Sequence, residues 1–299
     1  MESLERLHRQ LDSLDELRTV VRTMKALSAA SIRQYEQAVT ALSGYYRTIE
    51  QGLQAVFREM EPPAPAAGQK RSAQRSAAIV FGSDHGLCGR FNEDIASCTL
   101  EHMDTKPAPR EDRLILAVGA RVVASLEQQG QKIEADFPAP GSAARITAAV
   151  EEILLQVDAW REQAGVHSVH LFYNRHSSGR GYRPTEIELL PIDLRRFHRL
   201  RAAPWPSRSL PAFSMEREVL LSRLLHQYLF VSIFRACAES QASEHASRLA
   251  AMQSAERNLD ERLEEVTLSF RRARQNAITS ELLDVVTGFE AITTGSNQG

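Results

Sequence analysis

The residues with the most chemical potential in this 299-residue chain lie in one glycine-rich run, Gly82-Ser83-Asp84-His85-Gly86-Leu87-Cys88-Gly89. Asp84 beside His85 has the composition of an acid-base pair, and His85 with Cys88 supplies two metal-ligand types. Neither pattern is complete, because a tetrahedral metal site needs a second spaced pair of ligands and none follows. The run also lacks GxGxxG and GxxxxGK[ST] spacing, so its glycines read as backbone devices. Gly86 and Gly89 permit tight geometry, and Leu87 anchors the loop. His167, His170 and His176, with Ser177, Ser178 and Asp193 downstream, include the residue types of a hydrolytic triad. Without a GxSxG elbow they read as strand and loop residues with ordinary polar partners. Arg195, Arg196, Arg199, Arg201 and Arg208 form a basic stretch. With a formal net charge of -2 for the whole chain, it favours an acidic protein surface over nucleic acid. No catalytic residue, cofactor or metal is predicted.

The elements that position this loop read clearly. Residues 77–81 form a short apolar strand ending at Gly82, residues 114–118 one ending at Gly119, and residues 169–173 one ending at Asn174. Helical stretches at 92–102, 120–129 and 143–159 lie between them. Residues 186–191 add a strand and 132–137 a weaker one. This alternation predicts an α/β fold class, a mostly parallel, Rossmann-like three-layer domain over residues 77–194.

Both flanks are different. Leu4, Leu7, Leu11 and Leu14 recur at three- and four-residue steps, and the stripe continues through Leu17, Val21, Met24 and Leu27 with some drift in phase. A single helix of about 55 residues would reach roughly 80 Å. It stops by Glu61-Pro62-Pro63-Ala64-Pro65, where prolines remove donors and exclude helical geometry. From Ser214 onward there is no proline, and Leu259, Leu263, Val266, Phe270, Ala273 and Ala277 follow one another at steps of 4, 3, 4, 3 and 4 residues. That spacing keeps a narrow apolar edge toward a partner helix. The predicted order is an N-terminal coiled-coil helix (1–60), a linker (61–76), the α/β domain (77–194), a second linker (195–212), a C-terminal coiled-coil helix (213–290) and a tail (291–299). The intervening domain returns the chain, so the two helices pair as a long antiparallel coiled coil. Ala26, Ala29, Ala30, Ala246, Ala250 and Ala251 would allow close approach. Lys25, Arg33, Arg248, Arg257, Arg271, Arg272 and Arg274 read as surface cations. An aromatic content of 6% fits a chain that needs a thin seam more than a broad core.

Cys88, Cys98 and Cys237 cannot all pair, which favours a reducing compartment. The start lacks the basic-then-apolar pattern of a signal or transit peptide. The most apolar stretch, residues 228–238, is short and interrupted by Ser232 and Arg235, so any membrane connection is predicted to be peripheral.

Three stretches resemble one family. Arg248-Leu249-Ala250-Ala251-Met252-Gln253-Ser254-Ala255, followed by Arg272-Ala273-Arg274-Gln275-Asn276-Ala277-Ile278-Thr279-Ser280-Glu281-Leu282, is similar to the C-terminal signature of the gamma subunit of rotary F-type ATP synthases. Thr23-Met24-Lys25-Ala26-Leu27-Ser28-Ala29-Ala30-Ser31 looks like its N-terminal helix, and Ser83 to Gly89 like its first α/β loop. The chain departs from the family pattern at Ile32 and His85, where basic residues are usual, at Arg90-Phe91-Asn92, and at Asn276. The resemblance implies a non-catalytic central-stalk rotor subunit, or a divergent alternate copy of one, that couples ion flow to ATP synthesis or hydrolysis. Its partners would be the alpha and beta subunits of the catalytic hexamer, the epsilon subunit and the membrane ring of c subunits. Its place would be the cytoplasmic face of a prokaryotic plasma or inner membrane. By position, Met24, Lys25, Arg274, Gln275 and Thr279 would contact the catalytic collar, and Asp84, His85, Gly86, Leu87 and Cys88 the foot and epsilon. Two other readings stay open: a coiled-coil adaptor of another assembly, and an α/β enzyme with helical extensions.

Overall fold

The computed structural model describes residues 2–58, 75–106, 109–177, 181–192, 204–205 and 211–295, with side chains from residue 4 to residue 287 of these. The expected linker up to residue 74, the basic connector from Arg195 to Arg208 apart from Pro204 and Trp205, Ser178, Asp193 and the last four residues of the expected tail lie outside them. Element order is α1 (Glu2–Arg58), β1 (Arg75–Phe81), α2 (Phe91–Asp104), β2 (Leu114–Val118), α3 (Ala120–Gln128), β3 (Ala135–Phe137), α4 (Ile146–Gln163), β4 (Val166–Ser177), β5 (Gly181–Leu190) and α5 (Arg217–Gly295).

The chain divides into two compact units, one of residues 28–248 and one of residues 1–27 with 249–299. In the first, five strands stand in the order β3-β2-β1-β4-β5. β1 pairs in parallel with β2 and β4, β2 in parallel with β3, and β5 runs antiparallel to β4. The apolar strands β1 and β2 are covered on both faces, as continuous hydrophobic runs require. Ala78, Val80, Ile115, Ala117 and Phe172 pack under α2 and α3 with Ile95, Leu100, Met103, Val122 and Leu126. Ile79, Phe81, Leu116, Val118, Leu171 and Tyr173 face the other way, toward Val150, Ile153 and Val157 of α4 and toward Ile233, Ala236 and Cys237 of α5. Tyr35 of α1 joins this second layer and donates its hydroxyl to the Pro140 carbonyl at 2.8 Å.

The apolar stretch at residues 228–238 packs against the sheet through Leu229, Ile233, Ala236 and Cys237, and the next turns of α5 are covered as well. From Ala236 to Glu244 only Glu239 is not buried, so nearly every face of the helix is covered. The small side chains Ala236, Ala238, Ser240, Ala242 and Ser243 are what let it fit there. This corrects the expectation for close approach. Ala26, Ala29, Ala30 and Ala250 are exposed and Ala246 and Ala251 half-buried, whereas Gly52 lies where an added Cβ would sit 2.9 Å from Leu224 Cδ2. Leu53 and Phe57 of α1 complete that contact with Val231.

In the second unit the helix ends run antiparallel. His8 lies beside Phe270, with ring centroids 5.9 Å apart, Arg18 beside Asp260, and Arg22 and Lys25 beside Glu256. The seam of α1 keeps strict three-four alternation through Leu4, Leu7, Leu11, Leu14, Arg18, Val21 and Lys25, all at least half-buried. The expected stripe is thereby corrected: Leu17 and Leu27 are 53% and 63% exposed. A heptad seam keeps its phase at 3.5 residues per turn, and ion pairs carry it across its polar positions.

Candidate functional site

The loop after β1 is built by two glycines and two polar side chains. A Cβ on Gly82 would collide with Val122, and one on Gly119, at φ 113°, would sit 2.7 Å from the Ser83 carbonyl carbon. The ends of β1 and β2 therefore approach as only glycine permits. Asn92, buried in the first turn of α2, accepts the Ser83 amide on Oδ1 at 2.9 Å and donates Nδ2 to Ser83 Oγ at 2.9 Å. Ser83 Oγ in turn donates to the His85 carbonyl at 2.9 Å. Asp84 accepts the Ala120 amide at the start of α3 at 3.0 Å and the Ala139 amide at 3.1 Å. Its carboxylate is spent on backbone donors that nothing else would satisfy, which is a structural task and not acid-base chemistry.

From outside, α5 clamps the same loop. Arg248 Nη2 donates to the His85 carbonyl at 3.2 Å and the Gly86 carbonyl at 3.3 Å, and Nε reaches Gly86 at 3.3 Å. Ser247 Oγ donates to the Cys88 carbonyl at 2.7 Å. Arg248 also holds Glu244 Oε1 at 2.6 Å, with both side chains 6% exposed. Burial pushes the Glu244 carboxyl up to about 7 against the pull of Arg248, and burial with the Arg248 charge holds the His245 imidazole down near 4. Arg248, read from sequence as a surface cation, is thus a buried clamp. The Cys88 thiol is buried and pushed up by that burial, so it is neither a thiolate nucleophile nor a ready ligand.

What the loop presents outward is small and rigid. Leu87 has φ 65°, a strained conformation for a branched side chain, and is 59% exposed. His85 is exposed beside it, Gly86 is half-buried, and Asp84 and Cys88 face inward. Leu87 is therefore an outward tip and not the anchor expected; Asp84, Asn92 and Arg248 anchor the loop.

The other predicted residues lie on the paired helix ends. Met24 is half-buried. Lys25 Nζ sits on Glu256 Oε2 at 2.5 Å, and Arg22 Nε on Glu256 Oε1 at 3.1 Å. Arg274, Gln275 and Thr279 are exposed, with Thr279 Oγ1 donating back to the Gln275 carbonyl at 2.9 Å. Val266 is buried, and Leu259, Leu263, Phe270, Ala273 and Ala277 are half-buried. Spacing alone assigned Leu17 and Leu27 to the seam although both are exposed, and sequence reasoning missed the exposed Val20 and the carboxylates Glu256 and Asp260 that pair across it. A carboxylate three or four residues from the apolar seam was the available signal.

Comparison with known proteins covers nearly the whole chain. A family model described as ATP synthase matches residues 3–292. The ATP synthase gamma chain of Heliobacterium modesticaldum is 30% identical over 297 residues, spanning 98% of this chain and 100% of that one. The corresponding chain of Anaeromyxobacter dehalogenans is 31% identical over 301 residues with the same coverage. Among solved structures, the fold is shared with a chain of the Euglena gracilis mitochondrial ATP synthase (OSCP/F1/c-ring, rotational state 3). That match has a TM-score of 0.66 at 15% identity and covers 100% of this chain and 97% of that chain. A chain of the central stalk/c-ring structure of the Tetrahymena thermophila mitochondrial ATP synthase matches with a TM-score of 0.54 at 20% identity, over 79% of this chain and 99% of that chain.

Proposed function

The chain belongs to the ATP synthase gamma-chain family, and on that premise we propose that it is the rotor subunit of a central stalk. It couples ion flow through a membrane ring to ATP synthesis or hydrolysis in an alpha-beta hexamer, and is itself non-catalytic. Its partners are the alpha, beta and epsilon subunits and the ring of c subunits, and it sits peripherally on the cytoplasmic face of a prokaryotic membrane. The observation that carries this reading is the end-to-end match, which takes in both terminal helices and the middle domain over 98% of the chain. The geometry is consistent in kind. The paired ends have a thin seam and broad exposed faces, as suits a helix pair read by surrounding subunits, and the candidate loop is locked for contact instead of turnover.

Within that role, Arg274, Gln275 and Thr279 are collar contacts, with Met24 and Lys25 at the seam edge of the same unit. His85, Gly86 and Leu87 form a contact with a neighbouring subunit of the foot, and Asp84 and Cys88 support them from inside. Lys25 has an internal partner, so its role is tested by a charge swap. Because Arg22 shares Glu256, Arg22→Glu and Lys25→Glu together with Glu256→Lys restore the seam contact while inverting its charges. ATP-driven ion pumping that stays impaired in the swapped complex supports a collar role, and full recovery removes Lys25 from it. For the whole reading, the chain expressed with the alpha and beta subunits of its host copurifies with them and turns during ATP hydrolysis. A stable chain that binds neither refutes it.

A further inference from the structure

Away from the loop, α2, β4 and β5 bring two imidazoles and a carboxylate together. Glu186 on β5 accepts from His170 Nδ1 of β4 at 2.8 Å on Oε1, and holds His102 Nδ1 of the last turn of α2 at 3.2 Å on Oε2. The two rings lie 4.8 Å apart, and His102 packs edge-on to Phe172 at 5.5 Å. His170 is 2% exposed, while the side chains of His102 and Glu186 are 24% and 31% exposed, so the group is walled on one side and open to solvent on the other. This is more than a strand histidine with an ordinary partner, which is what sequence implied for His170.

We propose that His102, His170 and Glu186 form a site for a divalent transition metal of the zinc class, which fastens α2 to the β4–β5 edge of the sheet. One ligand atom from each residue lies within 4.8 Å of the others. Closing them to bonds of about 2.1 Å takes side-chain shifts on the order of 1 Å. Glu186 is on an exposed edge strand and His102 in a terminal helical turn, and these are the two ligands best able to move. Two neutral imidazoles and one carboxylate suit Zn²⁺, Co²⁺ or Ni²⁺, whereas Mg²⁺ and Ca²⁺ prefer all-oxygen shells.

The surrounding shell fits as well. Ser168 Oγ lies 2.8 Å from His170 Nε2. With Nδ1 protonated toward Glu186, Nε2 accepts the serine hydroxyl. When Nδ1 binds a metal the ring proton moves to Nε2, which then donates to the same oxygen, so one contact serves both states and no proton leaves the ring. Metal-ligating histidines are ordinarily oriented by such a partner. His102 Nε2 is buried without a hydrogen-bond partner among the described residues, so this ring lacks the outer partner that Ser168 gives His170. Glu188 adds negative field at His102 and Lys106 opposes it, while Cys98 lies one turn earlier on α2, where it feels Glu101 and Glu186. The fourth position is left to water, and Cys98 lies outside the three-ligand group.

The test uses the full chain, stripped with a chelator and titrated with Zn²⁺ by calorimetry and with Co²⁺ by its visible absorption. One equivalent binds, the Co²⁺ spectrum is that of a low-coordinate nitrogen-oxygen site, and melting rises by roughly 5 °C at a hundredfold excess over Kd. His102→Gln and Glu186→Gln, both at partly exposed positions that tolerate glutamine, weaken binding at least about tenfold while circular dichroism stays unchanged. Cys98→Ser retains the site. The proposal is overturned if the full chain binds neither metal, if both glutamine variants bind like the parent, or if binding is lost with Cys98→Ser but kept with Glu186→Gln.

Discussion

Replacing Arg248 with alanine should loosen the Ser83–Arg90 loop without unravelling α5. The guanidinium makes charge-assisted hydrogen bonds to two loop carbonyls, His85 and Gly86, at 3.2 and 3.3 Å. Such bonds contribute about 1.5–3 kcal/mol each, and at these lengths the lower figure applies, giving about 3 kcal/mol for the pair. The Glu244 contact does not enter this sum, because it spans one turn of the same helix and persists when the loop opens. At 1.36 kcal/mol per decade, the open population rises roughly 10²-fold. Cys88 reports on it directly: its thiol is 1% exposed and its carbonyl is held by Ser247. Alkylation of the native protein, followed at the Cys88 peptide by mass spectrometry, should therefore accelerate about 10²-fold in Arg248→Ala. Arg248→Lys, which keeps the charge but not the fork, should accelerate it about tenfold. Acceleration below about threefold in the alanine variant, or an equal effect from Glu244→Gln, would refute the clamp.

Three further outcomes follow from the same region. Leu87→Gly relieves a left-handed backbone and should stabilise the loop by about 1 kcal/mol in urea titration, yet lower coupled ATPase activity in the assembled complex, because the outward tip is lost. Gly119→Ala places a Cβ 2.7 Å from the Ser83 backbone at φ 113°, and should cost more than about 3 kcal/mol or abolish soluble expression. The pH dependence has two opposed parts. Glu244, raised to about 7 from 4.5, binds more protons folded than unfolded between those values, so its contribution falls as pH rises through that window. His245, lowered to about 4 from 6.5, binds fewer protons folded than unfolded, so its contribution falls as pH drops through that window. Urea midpoints from pH 5 to 7 should decline toward acid in Glu244→Gln and decline toward neutral in His245→Phe, which keeps the ring stacked on Tyr35.

Much of the architecture was legible because burial on two faces leaves an unambiguous trace. β1 and β2 are unbroken apolar runs ending in glycine, and each is followed by a helix. β5 was read only at 186–191, whereas it occupies Gly181–Leu190. No residue of its outer half is buried, as befits a sheet edge, and Arg183, Pro184 and Glu186 hide it from any apolar count. The helix seam was read where leucine marks it and misread at Leu17 and Leu27, because apolarity outvoted a phase carried by Arg18 and Lys25. The loop was noticed for its glycines, but its fastening was out of reach. Arg248 lies more than 150 positions downstream, and nothing local separates a buried arginine from a solvated one. The His102, His170 and Glu186 group was equally invisible, since its members belong to three elements that only the sheet order brings together.

The ion pairs that interrupt the leucine seam also bear on slip. A seam of uniform leucines is nearly self-similar after one heptad, so two such helices can creep about 10 Å along each other at little cost. Here Arg18 lies opposite Asp260, and Lys25 and Arg22 share Glu256. One heptad of sliding would set Lys25 against Leu263 or Leu249 and strand a carboxylate on the seam. The registers are therefore no longer degenerate. Sliding this helix pair by a heptad means breaking all three ion pairs at once, which a uniform leucine seam would not require.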